Sequence, residues 1–444
     1  MNRSMRIVAI VAALAVGSAC SNPGAGGDSG TEVSADGTAE VQADRLTVWV
    51  NPADPDAVMN VYDRFTEETG VEFEIIEMPS DAFESGVQTR WASGERPDIL
   101  EYHATSLFWA LNPEQNLYDL SEMPFVERER DILDFAGSFD GKVYAAITDT
   151  PSLFGIFYNR NVFAQYGLEV PQTLDDLASI CATLQAEAPG VTPIFESGGS
   201  AWPTQILSGL MAMGSAQQAD GWSQQVLEQE TTFDAPDSPF TAGIAAYRGL
   251  HDSGCFNSDA TTAVFEDSIV AVSEGTAAMV ALPSGLLDMF TAQLGGDVAV
   301  TNETIGFAYP SADGAVSAWA PNVAGTWYVP KTGDAEREST ALAFIQWVTG
   351  DGYQDFVDES GTFPVLEGAE PPASGITGVR EELQRAFEDS TAYAFNSDLI
   401  GFNSEFANYM TGLLSGSETP ESIAERSQTA FEQAARAAGL PGWD

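Results

Sequence analysis

Between Leu46 and Leu100 the chain alternates short apolar runs with helical repeats, and this alternation restricts the fold more than any other feature. Leu46 to Val50 reads as a short buried strand. From Asp56 onward, Val58, Val61, Tyr62 and Phe65 follow helical spacing, and Gly70 supplies a C-terminal stop. Val71 to Ile76 forms a second strand. Phe83, Val87 and Trp91 then share one face of a second helix, ended by Gly94, and Pro97-Asp98-Ile99-Leu100 begins a third strand. Strand, helix, strand, helix, strand on short links is the pattern of a parallel sheet covered by helices.

The middle of the chain repeats this grammar. Gly141-Lys142-Val143-Tyr144 reads as a turn entering an edge strand, and Leu153 to Tyr158 as an apolar strand. Thr173 caps a helix with Asp175 and Asp176 in its first turn, where the helix dipole favours negative charge. Ala277 to Leu282 is a further apolar strand, halted by Pro283; Glu338 to Val348 and Pro420 to Ala438 read as long amphipathic helices. No short-period repeat is present. About 400 residues remain after the N-terminal 44, enough for two α/β lobes with sizeable cores.

The first twenty residues speak to compartment. Arg3 and Arg6 precede an unbroken apolar stretch from Ile7 to Val16, and Gly17-Ser18-Ala19 leads to Cys20. So short an apolar core cannot cross a ~30 Å hydrocarbon layer as a mature helix, but it suits a cleaved signal. A Cys after small residues resembles a bacterial lipobox, which makes 1–20 a signal peptide and Cys20 a lipidation site. Gly17 stands where that pattern has Leu, and Gly17 with Ala19 also satisfies ordinary cleavage before Cys20. Residues 21–44, rich in Gly, Ser, Ala, Thr and acidic side chains, are expected to form a flexible linker. The GAGG run there follows no strand, so it is not a phosphate loop.

Charge and catalytic inventory exclude several functions. There are 66 acidic against 17 basic residues, a net charge of −49, and the only lysines are Lys142 and Lys331. Nucleic-acid binding needs basic contacts to phosphate and is excluded; an anionic ligand or lipid surface is disfavoured by repulsion. Solubility in a salty or acidic habitat accounts for the acidity. Among so many carboxylates, acid pairs diagnose no hydrolase. Neither a GxSxG elbow nor an HExxH zinc motif occurs, and Cys181 sits in a helical pattern with no nearby His. With His103 and His251 the only histidines, Cys181 and Cys255 are expected to pair as a disulfide outside the cell rather than bind metal. No cofactor is called for.

Several segments resemble the extracellular solute-binding proteins of the maltose-binding type, which serve ATP-driven importers. They are LTVWVNP with EFEII, WASGERPDILEY, GKVYAAITDTPSLFGIFYNRNVFAQYGLEVPQTLDDL, FEDSIVAVSEGTAAMVALPSG and ALAFIQWVTGDGYQDFVDESGTFPV. In the third, Tyr158-Asn159, Phe163, Gly167, Pro171 and Thr173 fall as that family has them. The resemblance implies a two-lobed periplasmic-binding-protein-like fold of type II, each lobe a mostly parallel sheet flanked by helices, joined by a multi-strand hinge. By analogy 45–148 and 283–326 form lobe 1, and 149–282 and 327–444 form lobe 2. The chain is expected to cross near Thr148 to Leu153, Leu282 to Ser284 and Ala324 to Val329. The implied role is the lipid-anchored, monomeric binding subunit of an ABC importer. Such a subunit takes a neutral mono- or oligosaccharide and closes on it by a hinge motion before docking on the permease. A polyol, peptide or amino acid is the alternative ligand, and a secreted carbohydrate-active hydrolase the alternative class.

A sugar offers apolar faces to aromatic rings and hydroxyls to polar side chains, and open sheets place ligands at strand ends. Asn51 follows the first strand and either bonds a hydroxyl or caps a turn. Tyr102 and His103 follow the PDIL strand, where they bind ligand or pack. Asp149 sits at the first crossing, as a hydroxyl acceptor or as a cap before Pro151. Trp202, in a Gly/Ser loop with little core to fill, is expected to stack on the sugar. Trp319 is expected in the cleft and Trp327 in the core. Ser284 and Gly285 occupy the place where many sugar binders carry Pro-Trp, and Phe402 adds a ring from the second lobe. Trp49, Trp109 and Trp347 have core spacing.

Overall fold

The computed structural model describes residues 34–444 except 53, 80–82, 134–135, 219–220, 311–316, 321–323, 390, 394–398, 400–404, 438–439, 441 and 444. The signal segment, Cys20 and Phe402 lie outside the described residues.

The expected βαβαβ opening forms the first lobe. β1 (Arg45–Val50) pairs in parallel with β2 (Glu72–Glu77) and with β3 (Ile99–Glu101). The helix Asp56–Thr69 buries Ala57, Val58, Val61, Tyr62 and Phe65, the i, i+3/i+4 stripe of its sequence, and ends on Gly70 in the left-handed conformation. The helix Phe83–Ala92 buries Phe83, Val87 and Trp91. A hairpin of β4 (Ser138–Phe139) and β5 (Lys142–Val143) turns at Asp140 and Gly141, both with positive φ as a tight hairpin turn requires. The sheet is closed by β6 (Ala146–Ile147) and by β12 (Thr326–Tyr328) from far downstream, in the order β2-β1-β3-β12-β6.

The second sheet is built on β7 (Ser152–Asn159), with β8 (Thr192–Phe195), β9 (Ala277–Pro283), β10 (Ile305–Ala308), β11 (Ser317–Ala320) and β13 (Thr391–Tyr393); β12 (Thr326–Tyr328) completes the first. β7 is hydrogen-bonded to β9 along one edge. Its other edge is taken by β11 at Ser152 and Leu153 and by β10 from Ile156 to Asn159. Gly155 sits where the partner changes, and a side chain there would strike the Phe307 ring and the Ala308 carbonyl. Two-residue alternation divides β7 between two cores. Ile156 and Tyr158 face Leu177, Ile194, Leu207 and Ile244, while Leu153 and Phe157 face Ile269, Leu287 and Phe290. This burial on both faces explains the unbroken apolar run.

The strands divide between the lobes differently from expectation. β6 and β7 lie in different sheets, as do β11 and β12, whereas β9 and the Leu282 to Ser284 segment that ends it stay with β7. Leu287 and Phe290, just beyond it, stay in the same core as Leu282, and β10 pairs with β7, so the helix Leu287–Gln293 and β10 belong with the second lobe. The helix Ala335–Val348 instead fills the first core with Leu342, Phe344, Ile345 and Val348. There Phe344 stacks on Tyr62 at 5.7 Å and meets Phe65 edge-on at 5.4 Å. The third crossing lies between Leu366, in the first core, and Val379, in the second lobe. A Pro-Ser pair after an apolar strand looks like an exit from a lobe, and an amphipathic helix fits either sheet; only packing assigns them.

The expected linker also stops short of residue 44. Ser339 Oγ accepts from Glu40 N and donates to Glu40 O, while Thr340 Oγ1 accepts from Gln42 N and Ala43 N at 2.9 Å. Ala35 and Ala39 rest on the first core. Hydroxyls on the downstream helix thus satisfy a backbone that composition alone would leave to water.

Cys181, on the helix Leu174–Glu187, is disulfide-bonded to Cys255, with Cα atoms 5.6 Å apart. The bond closes a loop across 74 residues. In the chain-entropy model that is worth roughly 4 kcal/mol. We expect Cys181→Ser with Cys255→Ser to lower the denaturant midpoint accordingly while leaving the far-ultraviolet circular dichroism unchanged. An unchanged midpoint would refute this.

Candidate functional site

The carboxyl ends of β1 and β3 carry a polar cluster. Asn51 and Asp54 close a turn on each other: Asp54 N donates to Asn51 O at 2.9 Å, and Asn51 N donates to Asp54 Oδ2 at 3.0 Å. β1 pairs with β3 as far as Trp49 and Leu100, which sets the turn after β1 beside Glu101, the last residue of β3, and brings the Asp54 carboxyl within hydrogen-bond reach of the Glu101 carboxyl. Glu101 is fully buried; its Oε1 accepts from Gly325 N at 2.8 Å, and Tyr62 reaches its Oε2 at 3.4 Å. Trp327 Nε1 donates to Tyr62 Oη at 3.0 Å. Burial, then the charge of Asp54, pushes the Glu101 carboxyl well above its ordinary range, and burial pushes Asp54 up to about 6.

Beside this cluster a cavity of about 350 Å³ opens between the lobes. The first lobe supplies Pro55, Asp56 and Phe356, the first crossing supplies Asp149 to Pro151, and the second lobe supplies Ser284, Gly285, Asp288 and Arg380. Phe363, between the lobes, adds a second ring, and its carbonyl accepts from Thr150 Oγ1 at 2.8 Å. Among the described residues, four carboxylates (Asp56, Asp149, Asp288 and Glu359) line it against one cation, Arg380, which is paired to Asp288 at 2.7 Å. Glu359 is occupied by Asn60 and Arg64. Such a wall repels anions and offers acceptors to hydroxyl donors.

The sequence-predicted residues separate into several groups. Asp149 and Ser284 line the cavity, the Asp149 carboxylate accepting from Thr150 N at 2.8 Å. Asn51 is half-buried beside it in the turn that leads to Pro55. Ser284 is also structural: its Oγ accepts from Leu153 N at 2.9 Å, tying the end of β9 to the start of β7. His103 is partly exposed and bonds Glu84 Oε1 through Nε2 at 2.7 Å. Tyr102 is a correction. Its ring is fully buried against Phe83, with the hydroxyl near Gln88 Nε2, so it packs rather than faces a ligand. Trp202 is half-buried, its ring 4.8 Å from that of Phe265 between the two second-lobe cores. Of Trp319 only the backbone, in β11 opposite Leu153, is described. Trp327 is core, as are Trp49 and the half-buried Trp109 and Trp347 at the edge of the first core.

Sequence reasoning missed Asp54, Glu101 and Arg380. It also missed Glu196, a buried acid that directly follows β8. Glu196 accepts from Ser197 N at 2.9 Å and from Tyr247 Oη at 3.0 Å, and burial pushes it up to about 7. The available signal was a carboxylate at the end of each apolar strand, in PDILE and in TPIFE.

A sequence model of bacterial extracellular solute-binding proteins matches residues 60–378. This chain belongs to that family. Among curated members it is 23% identical over 197 residues to the multiple sugar-binding protein of Streptococcus mutans, covering 44% of this chain and 46% of that one. It is 25% identical over 126 residues to the melibiose/raffinose/stachyose-binding protein MelE of Bacillus subtilis, 28% of each chain. The match thus spans less than half the length of these curated relatives. In fold, a chitin oligosaccharide binding protein superimposes with a TM-score of 0.73 at 19% identity, covering 88% of this chain and 99% of that one. The binding protein RafE in complex with raffinose does so with 0.68 at 18% identity, covering 87% and 98%. The solute-binding fold, two lobes with sheets on either side of a hinge, is therefore that of this chain.

Asp54 and Glu196 bind their protons more tightly folded than unfolded, with values of about 6 and 7 against ordinary values of 3.8 and 4.5. The stability they contribute is full below pH 4 and is lost as pH rises through about 6 to 7. Urea unfolding at pH 5 and pH 8 should therefore give a higher midpoint at pH 5. Asp54→Asn and Glu196→Gln should each shrink that difference; a difference unchanged in both variants would overturn the assignment.

Proposed function

We propose that this protein captures a neutral mono- or oligosaccharide outside the cell in its interlobe cleft and delivers it to an ATP-driven importer. The observation that carries this reading is the cavity bounded at once by the first lobe, a crossing segment and the second lobe. A solute that touches both lobes stabilises the approach of one to the other, and a permease can read that state. Asp149 and Ser284 offer oxygens, and the acidic walls turn away phosphorylated or uronate sugars. The volume lies within the roughly 300–1,000 Å³ of small-ligand sites. Family membership and the sugars named for its relatives support the same ligand class. The protein binds and releases without catalysis. Trp202, His103 and Asn51 complete the ligand contacts, and the protein works as a monomer.

Calorimetric titration with raffinose, stachyose, chitooligosaccharides, xylitol and amino acids tests the ligand class. We expect one sugar to bind and Trp202→Ala to weaken it by about tenfold or more. Binding of an amino acid alone would overturn the sugar reading.

We further propose that Cys20 becomes the lipid-bearing N-terminus after cleavage of 1–20. Expression in a Gram-positive host should leave the protein with the membrane, and Cys20→Ser should release it to the medium. Release of the wild type would contradict the anchor.

A further inference from the structure

Glu101 is a junction of four chain segments. It ends β3, its carboxyl meets Asp54 of the turn after β1 and Tyr62 of the helix Asp56–Thr69, and it holds the backbone of Gly325 in the second crossing. On the cavity side, Asp54 leads straight into Pro55, and Gly325 packs against Asp149, where a Cβ would come within 2.8 Å of the Asp149 Cβ. Gly325 O in turn accepts from Thr148 N at 2.9 Å. The two walls of the cavity are thus tied together beneath their surface by one pair of acids.

We propose that Asp54 and Glu101 share one proton, and that this proton fastens the Asn51–Pro55 turn to the second crossing in the arrangement that receives ligand. Two carboxylates without a proton have no donor to bond each other, and a buried site does not tolerate two unpaired anions. None of the groups acting on Glu101 is cationic. Facing it are Asp54, Tyr62 and the Gly325 amide, with Asp149 behind Gly325. Just past β3 lie Tyr102 and His103, the latter engaged by Glu84. Glu101 therefore acts as the acid, donating to Asp54, whose Oδ2 also accepts from Asn51 N. Being fully buried, Glu101 touches no solute; it is a positioning residue. When the proton departs to solvent at alkaline pH, the facing oxygens repel and the turn parts from the crossing. The pair titrates as a unit.

The consequence for ligand rests on the sugar-binding reading above, but the proton can be tested without ligand. Amide hydrogen exchange at Gly325 and Asp54 should be measured on the unliganded full chain between pH 6 and 9 and corrected for the intrinsic rate. Wild-type protection is expected to fall with pH. Glu101→Gln, whose amide donates to Asp54 and cannot lose its proton, should hold protection flat. Glu101→Ala should lose about tenfold at every pH, because the Gly325 N–H is left without an acceptor. Flat wild-type protection, or a Gln variant that follows the wild type, would overturn the shared proton. Titration with raffinose at the same pH values reads the consequence. Affinity in Glu101→Ala equal to the wild type would overturn the positioning role. A wild type with the expected exchange pattern but no raffinose binding would count against the sugar reading and leave the proton standing.

Discussion

The insertion of β12 between β3 and β6 is the pairing on which the rest depends. β12 runs antiparallel to both, with Trp327 opposite Glu101 and Ala146. The first sheet is therefore complete only after the chain has built most of the second lobe and come back. Neither lobe is a continuous piece of sequence, and two of the links between them, from β6 to β7 and from β11 to β12, are pinned at both ends by strands of different sheets. That arrangement permits the lobes to tilt about the links while each core stays packed. It also places Gly325, just before β12, where both the buried acid pair and the cavity wall can use it.

Each lobe hides an acid at the end of an apolar strand: Glu101 with Asp54 in the first, Glu196 with Tyr247 in the second. In a chain with 66 carboxylates most are solvated, so these exceptions stand out by burial rather than by kind. An apolar replacement would pack as well and would spare the desolvation cost. What an acid adds is a bond to a backbone amide at a defined angle. Gly325 N, just before β12, and Ser197 N, just after β8, are the amides concerned.

Much of the fold was legible from local pattern. The helical stripe from Val58 to Phe65, the stop at Gly70 and the apolar β7 follow from spacing and from glycine's left-handed freedom, which act within a few residues. The division into lobes was less legible, because it turns on which sheet an element joins. The IGFA segment became β10 only through pairing with β7, and the helix Ala335–Val348 joined the first core only through Phe344 and its neighbours. For the site, Asp149 and Ser284 line the cavity because one starts the first crossing and the other follows the end of β9. Tyr102 was misjudged since its ring follows the pleat into the core beside Phe83. Glu101 was passed over because an acid at a strand end reads as exposed when its partner lies 47 residues upstream in a turn.

The docking of residues 34–44 on the helix Ala335–Val348 has a mechanical meaning. A pull applied from the N-terminal side of the chain is taken first by the hydroxyls of Ser339 and Thr340, which grip Glu40, Gln42 and Ala43. The load passes into a helix packed across the first core before any of it reaches β1. The turn at Asn51, at the opposite end of β1, is shielded from tension, so a molecule held by its N-terminal end can be tugged by flow without its grip being loosened.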